Sequence, residues 1–288
     1  MFKLSLIKLS LIVLISIYFQ TVTAAQLRIS SEKLKPIINQ KNLTILDARS
    51  KDDYDVGHIP GAISFPVSFS YKHFSTDGKI QDPIRMQKLF RERGLDKNSQ
   101  VVIYDENKLI NSARMFWTLE VYGLTKIKIL DKGYTYWRNK NYPTSQVIPT
   151  VKPSKYVATI KHERLASKFA TQLAIKNKNK VIIDARSLLA YNGKESVAKR
   201  FGHIPNAINV PFSRHITTDL GVVGLKPIHE LKKIYANIPK GKKVIIYCKI
   251  GLVSSTNYFA LRELGYDVAN YDASWREWGN DDSLPIEN

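Results

Sequence analysis

Cysteine is nearly absent from this chain: Cys248 is the only one in 288 residues. No intramolecular disulfide can form, and no cysteine-rich zinc spacing exists. Acid is also scarce. Asp and Glu number 25 against 44 Lys and Arg, a formal charge of +19. The basic residues are mostly lysines spread through the chain among many Asn and Ile, with no basic–aromatic interleaving and no nucleic-acid motif, so no nucleic-acid partner is expected. A basic field favours small anionic ligands, although the same composition also fits a general lysine bias. Long apolar runs are missing beyond the first 25 residues, so no membrane span is expected in the body. A phosphate-binding glycine loop is missing too. What remains, 44% hydrophobic and 24% charged residues, is the composition of a globular protein long enough for two ordinary domains.

The first 25 residues read differently. Lys3 and Lys8 lead into an apolar run from Leu9 to Phe19, broken by Ser10 and Ser16. Small residues follow at Thr23, Ala24 and Ala25. This is the order of a secretory signal, and the run is shorter than the roughly 20 residues of a membrane span. Cleavage is expected after Ala24 or Ala25, with an uncleaved anchor as the alternative. The mature chain is then periplasmic or secreted, without stable membrane association, and the loss of two lysines takes its charge from +19 to +17. In an oxidising compartment a lone thiol is a liability unless it is buried or used.

The body contains itself twice. LTILDARSKDDYDVGHIPGAISFPVSF begins at Leu43, and KVIIDARSLLAYNGKESVAKRFGHIPNAINVPFSR begins at Lys180. Each has a β-branched strand ending in Asp-Ala-Arg-Ser, a polar segment, and Gly-His-Ile-Pro. The second halves also repeat. One begins at Ser99 with a strand ending in Ile-Tyr and reaches the aromatic pair Tyr134 and Trp137; the other begins at Lys242 and reaches Trp275 and Trp278. Short apolar strands alternating with helix-period segments predict a parallel sheet flanked by helices in each copy, an α/β fold. Pro149 and Pro153 mark residues 147–155 as a linker. The expected division is 1–25 signal, 26–146 first domain, 147–155 linker and 156–288 second domain.

A duplicated chain is its own control. Asp47, Arg49 and His58 match Asp184, Arg186 and His203. Because both copies carry them, a structural role is favoured: the Arg and Asp pair near the strand end, and the His orients the turn before Pro. Arg186 is also retained as a substrate-binding candidate. The copies differ where the next strand ends. VVIY leads to Asp105 in the first copy, and VIIY leads to Cys248 in the second. Lys249, Ile250, Gly251, Leu252, Val253 and Ser254 follow the cysteine, then a helix pattern from Ser255 with Tyr258, Leu261 and Leu264. Ligands of open α/β sheets bind off this carboxyl edge. Loop N–H groups and a helix start make an anion cradle there that favours the thiolate, the reactive form. Gly251 lets the loop curl, and Lys249 adds a charge. A carboxylate at Asp105 is neither a thiol nor expected to be welcome in such a cradle, so the first copy is expected to be inactive. The plainer reading of Cys248 is a small buried core residue.

These residues resemble a known family. Tyr54-x-x-x-His58-Ile59-Pro60-Gly61-Ala62-x-x-Phe65 is similar to the amino-terminal signature of the tandem-domain rhodaneses, which include thiosulfate and 3-mercaptopyruvate sulfurtransferases. Tyr271-Asp272-Ala273-Ser274-Trp275-x-Glu277-Trp278 resembles their carboxy-terminal signature, with Ala273 where glycine is usual. The resemblance covers nearly all of the mature chain. It implies two rhodanese-like domains, the second catalytic, and a sulfurtransferase using no metal or other cofactor. The Cys248 thiolate would take sulfur from a donor as a persulfide, the loop would bind the substrate, and a thiol or cyanide would accept the sulfur. Two departures bear on the donor. Ala190 stands about where members often carry a substrate-binding arginine, which weakens 3-mercaptopyruvate, and Lys249 is followed by Ile250 rather than a second basic residue. Thiosulfate or a similar inorganic donor is favoured, with Lys194, Lys199 and Arg200 as candidate replacement charge. Two other readings stand beside this one. A cysteine phosphatase needs an arginine where Ser254 stands. A non-catalytic sulfur carrier or redox and binding module needs only the fold, and Val253 stands where the family often has a polar residue.

Overall fold

The computed structural model describes residues 26–288, apart from 74–75, 107 and 220. The expected export signal lies outside the described residues. In the first half, β1 (Arg28–Ile29), β2 (Leu43–Asp47), β3 (Ile63–Ser64), β4 (Gln100–Tyr104) and β5 (Ile127–Leu130) form one sheet in the order β1-β5-β4-β2-β3. All pairings are parallel. In the second half, β6 (Leu165–Ala166), β7 (Lys180–Asp184), β8 (Ile208–Asn209), β11 (Lys243–Tyr247) and β12 (Val268–Tyr271) repeat that order as β6-β12-β11-β7-β8, again parallel. Between them in sequence, β9 (Ile216–Asp219) and β10 (Val222–Leu225) form a separate antiparallel hairpin. The helices of the first half are α1 (Ser31–Leu34), α2 (Lys51–Val56), α3 (Pro83–Glu92), α4 (Ile110–Val121) and α5 (Gly133–Asn139). Those of the second are α6 (Lys168–Ala174), α7 (Leu188–Tyr191), α8 (Ile228–Ile234), α9 (Ser254–Glu263) and α10 (Ser274–Trp278).

The repeated motif has a full local explanation. Asp47 and Arg49 pair through several bonds, the shortest 2.6 Å, and Arg49 also donates to the Gly57 carbonyl at 2.6 Å. Asp184, Arg186 and the Gly202 carbonyl repeat this in the second half. Both pairs are buried, which is tolerable because nearly every polar atom has a partner. The serine closing the motif caps the next helix. Ser50 Oγ accepts from Asp53 N at 3.1 Å and Ser187 Oγ from Ala190 N at 3.2 Å, each cap contributing about 1 kcal/mol. His58 stacks on Tyr54, with Nδ1 2.9 Å from its carbonyl, and His203 does the same on Tyr191.

The halves share one continuous core. Phe116 of α4 meets Phe259 of α9 edge to face, with centroids 4.9 Å apart. At the edge of that contact Glu120 accepts from Arg262 at 2.9 Å and from the Tyr258 hydroxyl at 2.6 Å. Residues 147–155 carry no regular structure, and the chain then stays against the first half: Tyr156 packs on Phe90, and Lys161 N donates to the Val121 carbonyl at 2.7 Å. In both sheets the strand order reverses between the two central strands, β4 and β2 or β11 and β7. The crevice off their carboxyl ends is where such sheets bind ligands.

Candidate active site

Cys248 directly follows β11, on that crevice. Its N–H donates to Ser274 Oγ at 3.1 Å, and its carbonyl accepts from Trp275 N at 3.0 Å. The residue is therefore clamped to the corner between β12 and α10. Ser274 holds this corner at a left-handed φ of 54°, where Gly133 holds the matching corner of the first half at 60°. The following loop turns at Gly251, φ 70°. A Cβ at Gly251 would lie 2.4 Å from the Asp272 carbonyl oxygen and 2.8 Å from Arg114 Nη1, so glycine is required for space as well as for φ. None of the N–H groups of residues 249–254 donates to an acceptor among the described residues. Unpartnered amides at a buried strand end are a ready anion site. Cys248 itself is only 1% exposed, which is less open than the thiol expected at the mouth of the domain. The thiol is enclosed, while in the loop after it Lys249 is exposed and Ile250, Leu252 and Val253 are half-buried.

Beside the cysteine, Arg186, Ala190, Glu195, Ser196, Val197 and Lys249 line a cavity of about 50 Å³. Arg186 serves the fold and still faces this space. Asp184 and the Gly202 carbonyl occupy Nε and Nη2, and the guanidinium lies 4.3 Å from the Trp275 ring. Its Nη1 has no hydrogen-bond acceptor among the described residues. In the first half the matching atom, Arg49 Nη1, is paired at 3.0 Å with Glu106, the residue after Asp105. The residue after Cys248 is Lys249, so this carboxylate is exchanged for a second cation. Ala190 lines the wall without charge, and Glu195, hydrogen-bonded by Ser187, is the acidic group at the rim.

The first half corrects one expectation. Its cradle takes a carboxylate readily. Asp105 accepts from Leu109 N at 3.2 Å and from Asn111 N and Ser112 N at 3.1 Å each, with the Ser112 hydroxyl at 3.2 Å. The physical reason is simple: a cradle built for an anion is satisfied by one on its own chain. Burial pushes the Asp105 carboxyl above its ordinary range, while these donors pull it back. The site is plugged from within.

Among the sequence-derived candidates, the structure brings together Cys248, residues 249–254 and Arg186. It does not bring in Arg200, whose guanidinium is spent on the Leu284, Trp278 and Asp281 carbonyls. Lys194 and Lys199 are exposed and do not line the cavity. Sequence reasoning missed Arg114, which reaches the loop after Cys248 from α4 with Nη1 3.0 Å from the Gly251 carbonyl. A signal was present: it is a lone arginine inside the apolar stretch Ala113–Met115–Phe116–Trp117, and the matching position of the other copy holds Thr256.

Comparison with known proteins shows the family. The rhodanese-like domain family matches residues 30–140 and again residues 168–281. A protein of Haloferax volcanii named "Putative thiosulfate sulfurtransferase" is 34% identical over 246 residues, 81% of this chain and 84% of that one. A Mycobacterium leprae protein of the same name is 30% identical over 280 residues, 90% of this chain and 96% of that one. Among solved structures, SseA from Escherichia coli, described as a 3-mercaptopyruvate sulfotransferase, superposes with a TM-score of 0.77 at 26% identity, covering 87% of this chain and 99% of SseA. An ergothioneine biosynthesis enzyme from Chlorobium limicola shares the fold at a TM-score of 0.81 and 20% identity, over 92% of this chain and 71% of the enzyme. Two consecutive copies of the same domain, one with the cysteine and one without, make this chain a tandem member of the rhodanese family.

Proposed function

We propose that this protein is a sulfurtransferase that carries sulfane sulfur as a persulfide on Cys248. One observation carries the reading most. The lone thiol sits at a strand end where the loop amides have no acceptor among the described residues, while the sister cradle is filled by its own carboxylate. The Cys248 thiolate attacks the outer sulfur of thiosulfate. A new S–S bond forms to Cys248, and the old one breaks with its electron pair leaving on sulfite. The terminal persulfide anion takes the loop amides as partners. Cyanide or a thiolate then attacks that terminal sulfur and releases the Cys248 thiolate, so one hard displacement becomes two easier ones.

Thiosulfate is favoured as donor because the wall offers a compact pair of cations, Arg186 and Lys249, and no further arginine at Ala190. A carboxylate-bearing donor such as 3-mercaptopyruvate would approach Glu195 with only that pair to hold it. Residues 1–25 are proposed to direct export and to be removed, which amino-terminal sequencing of the secreted or periplasmic protein tests. The activity is tested by mass spectrometry after mixing with thiosulfate. One added sulfur on Cys248, lost on adding cyanide while thiocyanate accumulates over many turnovers, is the expected result. Absence of the added sulfur overturns the reading, and its formation without turnover supports a carrier instead.

A further inference from the structure

Arg114 belongs to the half that lacks the thiol, yet its shortest hydrogen bond reaches the thiol's loop. It is fully buried. Nη1 donates to the Gly251 carbonyl at 3.0 Å, Nη2 to the Gly78 carbonyl at 3.1 Å, and Nε to Ser70 Oγ at 3.3 Å. Its guanidinium carbon lies 4.2 Å from the Tyr71 ring centroid and 4.4 Å from that of Trp117. No carboxylate lies within ion-pair distance of it among the described residues. A buried guanidinium hydrogen-bonded only to neutral groups is costly; the buried Asp272 carboxyl, beyond ion-pair distance but within electrostatic reach, offsets part of that cost. The repeat shows that the fold itself does not require the charge. Counting back from the glycine that follows each helix, Gly123 and Gly265, the match of Arg114 is Thr256.

We propose that Arg114 is a positioning residue for sulfur transfer, holding the catalytic loop of the other half in its anion-binding shape. One peptide plane links the guanidinium to the cradle. The Gly251 carbonyl accepts from Arg114, from Ser255 Oγ at 2.9 Å and from Asn270 Nδ2 at 3.2 Å. The peptide bond is planar and trans, so the Leu252 N–H points opposite to that carbonyl. Three donors pulling the oxygen to one side fix the amide on the other. Leu252 N–H is among the loop amides without an acceptor in the described residues. The guanidinium adds a positive charge behind the loop that no acid within ion-pair distance neutralises. Tyr71, which lies against it, reports the same neighbourhood. Burial raises its phenol, Arg114 opposes that rise, and Cys248 and Asp272 add to it, so cation, ring, sulfur and the Asp272 carboxyl lie within electrostatic reach of one another. The first half is thereby kept in the chain for a reason other than its own plugged cradle: the site of the second half is incomplete without it.

This inference rests on the sulfur-transfer reading, and its test separates the two. Carbamidomethylation of Cys248 by iodoacetamide at neutral pH, followed by mass spectrometry, needs no sulfur donor. Arg114→Gln, shown folded by its thermal transition, is expected to alkylate about tenfold more slowly, because the thiolate loses both the positive charge behind its loop and the fixed amide. Its kcat with thiosulfate and cyanide falls at least as far, while KM moves less than about twofold because the wall cations are untouched. Arg114→Lys, which keeps the charge, recovers most of the alkylation rate. Ser255→Ala removes a neutral donor from the same carbonyl and is expected to slow alkylation two- to threefold in the same direction, which carries the test should Arg114→Gln not fold. Alkylation and kcat of both variants within experimental error of the unaltered protein overturn the proposal. Rapid alkylation without turnover in the unaltered protein overturns the sulfurtransferase reading instead, and leaves the positioning test standing.

Discussion

The two halves of this chain run the same backbone through the same sheet order, and they part company at two adjacent residues. Where β4 ends, Asp105 and Glu106 satisfy the loop amides and the Arg49 guanidinium from within. Where β11 ends, Cys248 and Lys249 leave both sets of donors open. The difference teaches that a copy with a filled cradle and a copy with an open one need not differ in sheet order. They differ in whether the anion that the cradle wants is built in or must be brought from outside. Stability and reactivity are thus set against each other at one position: the plugged half spends its amides on its own carboxylate, and the open half keeps them.

The most direct way to break that comparison is to give the second half the first half's plug. Cys248→Asp is expected to abolish persulfide formation and to lower turnover by at least about a thousandfold, as loss of a nucleophile does. Its unfolding free energy should stay within about 1 kcal/mol of the unaltered protein, because the loop has carboxylate-seeking donors waiting. Urea unfolding and thiocyanate formation measure the two quantities. A variant that loses several kcal/mol would mean that the second loop cannot take an anion, and the equivalence of the two cradles would fail.

A second contrast lies one layer behind the cradles. The short turn after the Asn-Val-Pro-Phe segment ends at His215, and its match in the first half is Ser70. His215 is fully buried, with Nδ1 3.0 Å from the Phe212 carbonyl and Nε2 2.6 Å from the Tyr235 hydroxyl. Burial pushes its imidazole down to about 4, the Phe212 carbonyl opposes this, and Arg214 and Lys226 add to it. The folded value lies below the unfolded one of about 6.5. The stabilisation from keeping this ring neutral is therefore complete above pH 6.5 and is lost as pH falls towards 4, since the unfolded chain takes up a proton that the folded chain refuses. The slope is about 1.4 kcal/mol per pH unit and the total about 3 kcal/mol. Urea unfolding at pH 7.5 and 5.5 measures it. His215→Gln should be less stable at pH 7.5 yet lose about one proton's worth of slope; an unchanged slope would remove the acid-sensitive element from the second half.

Much of this was legible in the sequence, and the reasons are local. The repeat, the strand ends and the Asp-Ala-Arg-Ser motif are short-range patterns whose physics closes within a few residues, as the Arg49–Asp47 pair and the Ser50 cap show. Cys248 stood out because the other copy lacked it. Three features were not legible. The hairpin β9–β10 is built from Ile216-Thr217-Thr218-Asp219 and Val222-Val223-Gly224-Leu225, four residues each and too short to show a period. The plug at Asp105 depends on where loop amides point, which no residue type announces. Arg114 acts across the interface, and a contact 137 residues away in sequence has no local signature. Arg186 shows the limit of a repeat used as a control: one side chain serves the fold with Nε and Nη2 in both copies, while the role of its last nitrogen is decided by the residue that faces it.

That last nitrogen supplies the finest test of the comparison. Lys249→Glu places beside Arg186 the acid that Glu106 places beside Arg49. If the two ends are equivalent, the new carboxylate pairs with Arg186 Nη1 as Glu106 pairs with Arg49 at 3.0 Å, and one cation of the wall is neutralised while the other is gone. The donor anion then meets an acid at the entrance instead of a base. KM for thiosulfate is expected to rise about tenfold, close to 1.4 kcal/mol of lost binding, with the smaller change in kcat. The rise should shrink as salt is raised, because exposed charges are screened beyond about 10 Å at 0.1 M ionic strength. Lys249→Gln should give an intermediate rise, since it removes a cation without adding an acid. An unchanged KM in Lys249→Glu would show that the donor does not pass this wall, and the charge exchange between the copies would then belong to the fold rather than to the substrate.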